Sequence, residues 1–122
     1  MNDKATILYV DDEPFNLLLL KRLFKEEYHV LTASSGWEGL DILYSEKRIR
    51  AVISDMKMPG MNGIEFITKA KEAFPDTAFF ILTGFDCTPE ISDALKNNLI
   101  SKYFSKPLNT RDILESLKKA ID

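Results

Sequence analysis

The sequence predicts an α/β fold: a parallel β-sheet with helices packed on both faces. Two observations carry the prediction. Short apolar runs alternate with longer amphipathic stretches along the 122 residues, giving five β–α units in register. The runs are also continuously apolar instead of alternating, as expected of strands covered on both sides. Composition agrees. A chain of this length forms one domain, expected here over residues 1–122, and buries roughly two thirds of its unfolded surface. At 45% hydrophobic residues it is too apolar for disorder. It has no low-complexity segment, repeat or Gly/Ser linker. No apolar run reaches the about 18 residues of a membrane span, and Met1-Asn2-Asp3-Lys4 lacks a signal-peptide pattern. A lone cysteine, Cys87, rules out a disulfide framework and a cysteine-rich metal site, so a cytoplasmic location is expected. The net charge of −3 argues against a nucleic-acid binder.

The elements follow in order. Thr6-Ile7-Leu8-Tyr9-Val10 is a strand that stops at Asp11-Asp12. Phe15, Leu18, Leu19, Leu23 and Phe24 recur at helical spacing, with Pro14 suited to the first turn. Of Leu18, Leu19 and Leu20, one must face outward. His29 to Ala33 is the second strand, and Gly36 to about Glu46 the second helix, with Leu40, Leu43 and Tyr44 on its inner side. Ala51-Val52-Ile53-Ser54 runs into Asp55, and Pro59, Gly60 and Gly63 mark a sharply turning loop. The third helix places Ile64, Ile67, Ala70, Lys71 and Phe74 on one side and ends at Pro75-Asp76. Thr77 to Leu82 is the clearest buried strand, closed by Thr83-Gly84. Pro89 to Asn97 is the fourth helix, with Asn97-Asn98 as its exit because Asn tolerates the left-handed conformation. Tyr103-Phe104-Ser105 is a short fifth strand. The last helix is capped by Asn109 and buries Ile113, Leu114, Leu117 and Ile121.

In such sheets ligands sit outside the carboxyl ends of the strands. Asp11 and Asp12 end the first strand, Asp55 the third, Thr83 the fourth and Lys106 the fifth, so these polar groups converge on one rim. At an effective dielectric of about 20, two unit charges at 4 Å repel by roughly 4 kcal/mol. Three crowded carboxylates therefore hold a proton or recruit a cation. Oxygen ligands on loops suit a hard divalent ion, and few protein ligands favour Mg²⁺ over Ca²⁺. A carboxylate beside a metal, a hydroxyl and an ammonium suits phosphoryl transfer, with the carboxylate attacking in line.

Four segments now stand in a familiar order and spacing: Val10-Asp11-Asp12-Glu13, Ser54 through Gly63, Ile81-Leu82-Thr83-Gly84, and Tyr103-Phe104-Ser105-Lys106-Pro107. The chain resembles the response-regulator receiver domain (CheY-like) of two-component signalling over essentially its whole length. The resemblance implies a flavodoxin-like strand order 2-1-3-4-5. It implies that Asp55 accepts a phosphoryl group from a histidine kinase or a histidine phosphotransfer protein. Asp12 would bind Mg²⁺ directly, Asp11 mainly through water, and Lys57 through its backbone carbonyl. Thr83 and Lys106 would hold phosphoryl oxygens, and Tyr103 matches the switch aromatic that turns as Thr83 moves. The fourth helix, fifth strand and fifth helix would then change packing to control a partner or attached output domain. The first helix commonly contributes to kinase docking in this family. The result is a self-modifying switch and not a turnover enzyme, with no nucleic-acid or membrane binding of its own.

The sequence is also to be weighed against three other classes. A haloacid-dehalogenase-like phosphatase would need a second Asp two residues after the nucleophile, where this chain has Lys57. A nucleotide-binding Rossmann domain lacks its glycine motif here. A pseudo-receiver would be an interaction module that is never phosphorylated. Lys57 and Phe85 flank the site and are expected to tune the lifetime of the phosphorylated form, while the small Gly84 leaves water room to approach. Leu99 and Ile100 replace a Gly-Ala pair common in the family, as core or as an apolar partner face. His29 and Cys87 read as structural, Trp37 as packing or casual exposure. Lys21-Arg22-Lys25 and Lys47-Arg48-Arg50 read as solvated faces.

Overall fold

A computed structural model describes residues 4–46, 48–84 and 87–122. Five parallel strands, β1 (Ala5–Val10), β2 (Tyr28–Ala33), β3 (Ile49–Asp55), β4 (Ala78–Thr83) and β5 (Lys102–Ser105), pair in the order β2-β1-β3-β4-β5. Each strand is followed by a helix: α1 (Pro14–Phe24), α2 (Gly36–Ser45), α3 (Gly63–Ala73), α4 (Pro89–Lys96) and α5 (Thr110–Ile121). The strand order reverses between β1 and β3, which opens a crevice at their carboxyl ends.

The pleat sorts the apolar runs between two cores. Leu8, Val10, Val52, Phe79 and Ile81 face Leu43, Phe66, Ile67, Ala70, Ile91 and Ala94, which places α2, α3 and α4 on one side. Ile7, Tyr9, Ala51, Ile53, Phe80, Leu82 and Phe104 face Leu20, Phe24, Ile113 and Leu117 of α1 and α5 on the other. Register is tight at the functional end. Val10 lies opposite Ser54, Asp55 opposite Leu82, and Thr83 opposite Ser105, so the strands finish level with one another.

The helix signals act as their chemistry dictates. Ser35, Asn62, Thr88 and Asn109 each accept a backbone N–H at a helix start, and Asn62 with Glu65 closes a full capping box. Asn98 adopts φ 57°, the left-handed exit expected of it. Behind it Ile100 is buried and Leu99 packs against the first core, so this pair is core.

Two expectations about helix faces are corrected. In α1 the core takes Leu20 and Phe24 with part of Leu17, whereas Phe15 is 69% exposed, Leu18 57%, and Leu19 and Leu23 also reach solvent. This helix carries two apolar stripes, and periodicity does not say which one meets the sheet. In α2, Tyr44 is exposed, its ring edge-on to Phe74 at 5.2 Å, while Leu43 is buried. Phe66, absent from the expected inner face of α3, is fully buried. His29 and Cys87 are exposed. Trp37 is exposed at the start of α2 and lies over Gly60, whose φ of +80° suits glycine. Lys47 and Phe85 lie outside the described residues. No helix among the described residues is long and apolar enough to cross a membrane.

Candidate functional site

The crevice holds the residues that sequence reasoning sent there. Asp11 and Asp12 follow β1, Asp55 and Thr83 close β3 and β4, and Lys106 follows β5. One carboxylate oxygen from each of Asp11, Asp12 and Asp55 lies within 4.8 Å of the others. Lys106 Nζ approaches Asp55 Oδ1 at 3.0 Å from the opposite side. Thr83 is buried at the rim beside them, and Lys57 is exposed in the loop after β3.

Local backbone bonds hold these groups in place. The Met56 N–H donates to Leu82 O at 2.9 Å, tying the chain just beyond Asp55 to β4. The Gly63 N–H donates to Met56 O at 2.8 Å, folding the start of α3 back onto that turn. A Cβ at Gly63 would collide with the Asp55 carbonyl oxygen and sit 2.8 Å from Ile81 Cδ1, so only glycine fits. The Lys106 N–H donates to Thr83 O at 2.8 Å, which carries the lysine backbone to the end of β4. The Lys106–Pro107 peptide is cis.

Burial and charge act in opposite directions on Asp55. Desolvation pushes its carboxyl above the ordinary 3.8, and the neighbouring Asp11 and Asp12 charges add to this; the Lys106 ammonium pulls it down. The balance is upward because burial is the largest of these causes, and three carboxylates this close repel one another unless a cation joins them. Three hard oxygen donors converging on one point fit a small divalent cation, which relieves that repulsion.

Asp11 is fully buried and unusually well held. The Tyr9 hydroxyl donates to its Oδ2 at 2.5 Å, the Asn16 amide to Oδ2 at 3.2 Å, and the Glu13 N–H to Oδ1 at 3.0 Å. Burial, reinforced by this carboxylate, pushes the Tyr9 hydroxyl well above its ordinary value, so it stays a donor. Sequence reasoning missed Tyr9 and Asn16. A signal for Tyr9 existed: residues two apart on a strand share a face, so a tyrosine two positions before Asp11 points to the same side.

Tyr103 is half-buried on β5, opposite Ile81, and packs against the α2–α4 core. Thr83, two residues beyond Ile81, points to that same side of the sheet. The residues named for the switch are therefore neighbours on one face, with α4 alongside.

A flavodoxin-like α/β sheet with an acidic cluster, a hydroxyl and a lysine on its carboxyl rim defines a class in which charge is gathered at the topological switch point. The chain belongs to the response regulator receiver domain family of two-component systems, whose sequence profile matches residues 7–118. It is 34% identical over 120 residues to sporulation initiation phosphotransferase F of Bacillus subtilis, covering 98% of this chain and 94% of that one. A CheY-like receiver domain protein from Methanospirillum hungatei superposes with a TM-score of 0.90 at 32% identity, over 98% of this chain and 95% of that one. The response regulator TrrA of Thermotoga maritima, solved in complex with Mg²⁺-BeF, does so with a TM-score of 0.82 at 32% identity, over 95% and 98% of the two chains. The chain spans about a quarter of the length of the curated transcriptional regulators it also matches. Membership of this family removes the phosphatase and Rossmann alternatives.

Proposed function

We propose that residues 1–122 act as one phosphorylation-competent receiver unit in which Asp55 accepts a phosphoryl group from a phosphohistidine. The observation that carries this reading is the pairing of Asp55 with Lys106 at 3.0 Å beside two further carboxylates. An Asp55 carboxylate oxygen forms a bond to phosphorus as the phosphorus–nitrogen bond breaks, and the histidine nitrogen keeps the electron pair. The product is an acyl phosphate. Attack of water on phosphorus later restores the carboxylate and releases phosphate, so the chain is a switch that modifies itself and not a turnover enzyme.

Asp11, Asp12 and Asp55, with the Lys57 backbone carbonyl, are the groups to hold Mg²⁺, which when bound neutralises charge on the phosphoryl oxygens. Lys106 places a positive charge where the transferred group arrives, and Thr83 presents a hydroxyl to it. Thr83 and Tyr103 share a face with α4, which supports a linked movement of that face on phosphorylation. A histidine kinase or phosphotransfer protein is the donor. The exposed apolar stripe of α1 beside the site is the natural place for it to dock. The switched face then acts on a downstream protein or attached output domain, in the cytoplasm.

The test is incubation with Mg²⁺ and a small phosphodonor, read by intact mass. A stoichiometric phosphate adduct, lost on chelation and in Asp55→Asn, supports the reading. No adduct from either the small donor or a phosphorylated kinase makes the chain a pseudo-receiver.

A further inference from the structure

We propose that the Tyr9 hydroxyl is a positioning group for the cation site: it turns Asp11 so that Oδ1, and not Oδ2, faces the acidic cluster. This rests on the reading that Asp11, Asp12 and Asp55 hold Mg²⁺.

An ionised carboxylate offers about four lone-pair positions, two on each oxygen. On Asp11 the Tyr9 hydroxyl and the Asn16 amide both donate to Oδ2, while among the described residues only the Glu13 N–H donates to Oδ1. Oδ2 is thereby saturated, and Oδ1 keeps one position for a cation or its water. The carboxylate is 0% exposed, so bulk water does not compete for its orientation. The three donors come from different parts of the fold. Tyr9 belongs to β1, Asn16 to α1 and Glu13 to the turn between them, so rotation of the carboxylate breaks bonds to all three.

Tyr9 is the strongest of these holds. Its bond is the shortest of the three, and its ring is 1% exposed in the core formed with Leu20, Phe24, Ile53 and Leu82. That packing fixes the ring, so the hydroxyl cannot follow Asp11 if the carboxylate turns. A phenylalanine would fill the same core space; only the hydroxyl reaches the site. Asn16 acts on the same oxygen from a half-buried position and is the weaker partner.

Tyr9→Phe and Asn16→Ala are compared with the parent protein by calorimetric Mg²⁺ titration, alongside melting in chelator. Tyr9→Phe is expected to weaken Mg²⁺ binding by about tenfold, the lower end for loss of a group that orients a metal ligand. Asn16→Ala weakens it less, and the double variant departs from additivity because both act on one oxygen. An Asp12→Asn control removes most binding in either background. Unchanged or tighter Mg²⁺ binding in Tyr9→Phe, with the parent binding normally, overturns this inference alone, even if the variant melts lower. A parent protein that binds no Mg²⁺, or binds it equally well as Asp12→Asn, overturns the cation site itself and this inference with it.

Discussion

Replacing Asp55 by asparagine should make the Mg²⁺-free protein more stable at neutral pH, although it removes an ion pair. The charge interacts with two carboxylates within 4.8 Å and with one ammonium at 3.0 Å. At an effective dielectric of about 20, each repulsion is roughly 3.5 kcal/mol and the attraction about 5.5 kcal/mol. These opposing contributions largely offset one another, and the burial of Asp55 decides the sign in favour of the neutral side chain. Solvent screens both the Lys106 pair, where the lysine is 35% exposed, and the half-buried Asp12, which shrinks both contributions further. A gain of about 1 kcal/mol in a domain of this length corresponds to about 4 °C in melting temperature. The pH dependence has a defined sign. A carboxyl raised above 3.8 binds its proton more tightly in the native state, so wild-type stability falls as pH rises through the raised value. Well below pH 3.8 both states are protonated and the two proteins converge. Adding Mg²⁺ at about 100 times its dissociation constant should return roughly 2.7 kcal/mol to the wild type and much less to the variant. Thermal melts in chelator and in Mg²⁺ across this pH range check the argument. An Asp55→Asn protein that melts at or below the wild type in chelator at neutral pH refutes it.

Other expectations follow from the same geometry. Lys106→Met removes the ion pair at Asp55, so it should lower the melting temperature in chelator and slow adduct formation with a small donor, measured by intact mass over time. Gly63→Ala forces a Cβ into the Asp55 carbonyl and Ile81 and should cost about 2–3 kcal/mol in a urea melt, with weaker Mg²⁺ binding. Gly60→Ala meets both a left-handed backbone and the Trp37 ring at 3.0 Å and should cost about 1–2 kcal/mol by the same assay. Phe15→Ser with Leu18→Ser should change stability by less than about 0.5 kcal/mol because both are exposed. That pair should nevertheless slow phosphotransfer from a protein donor while leaving the small-donor rate intact.

The fold was legible because each level of the sequence agreed with the next. Continuous runs such as Ala51 to Ser54 and Phe79 to Leu82 read as strands covered on both faces and are buried on both. Asn98 read as a left-handed exit and has φ 57°. The rim was legible because strand ends are fixed by where apolar runs stop, and Asp11, Asp55, Thr83 and Lys106 stand at those stops. Helix faces were harder. Eight of the eleven residues of α1 are apolar, aromatic or proline, so its periodicity allows more than one inner stripe, and the true one follows Leu20 and Phe24. The support around Asp11 was hidden for a different reason. Tyr9 sits inside an apolar run where its ring suffices to explain it, and only the three-dimensional position of its hydroxyl reveals a partner.

The central claim is that Asp55 carries the phosphoryl group. Its most direct test is to phosphorylate the protein in Mg²⁺, reduce the acyl phosphate with borohydride, and locate the resulting alcohol by peptide mass spectrometry. The claim predicts reduction at Asp55 alone, in an amount matching the phosphate adduct. Reduction at Asp11 or Asp12 instead, or an adduct that resists hydride altogether, contradicts it.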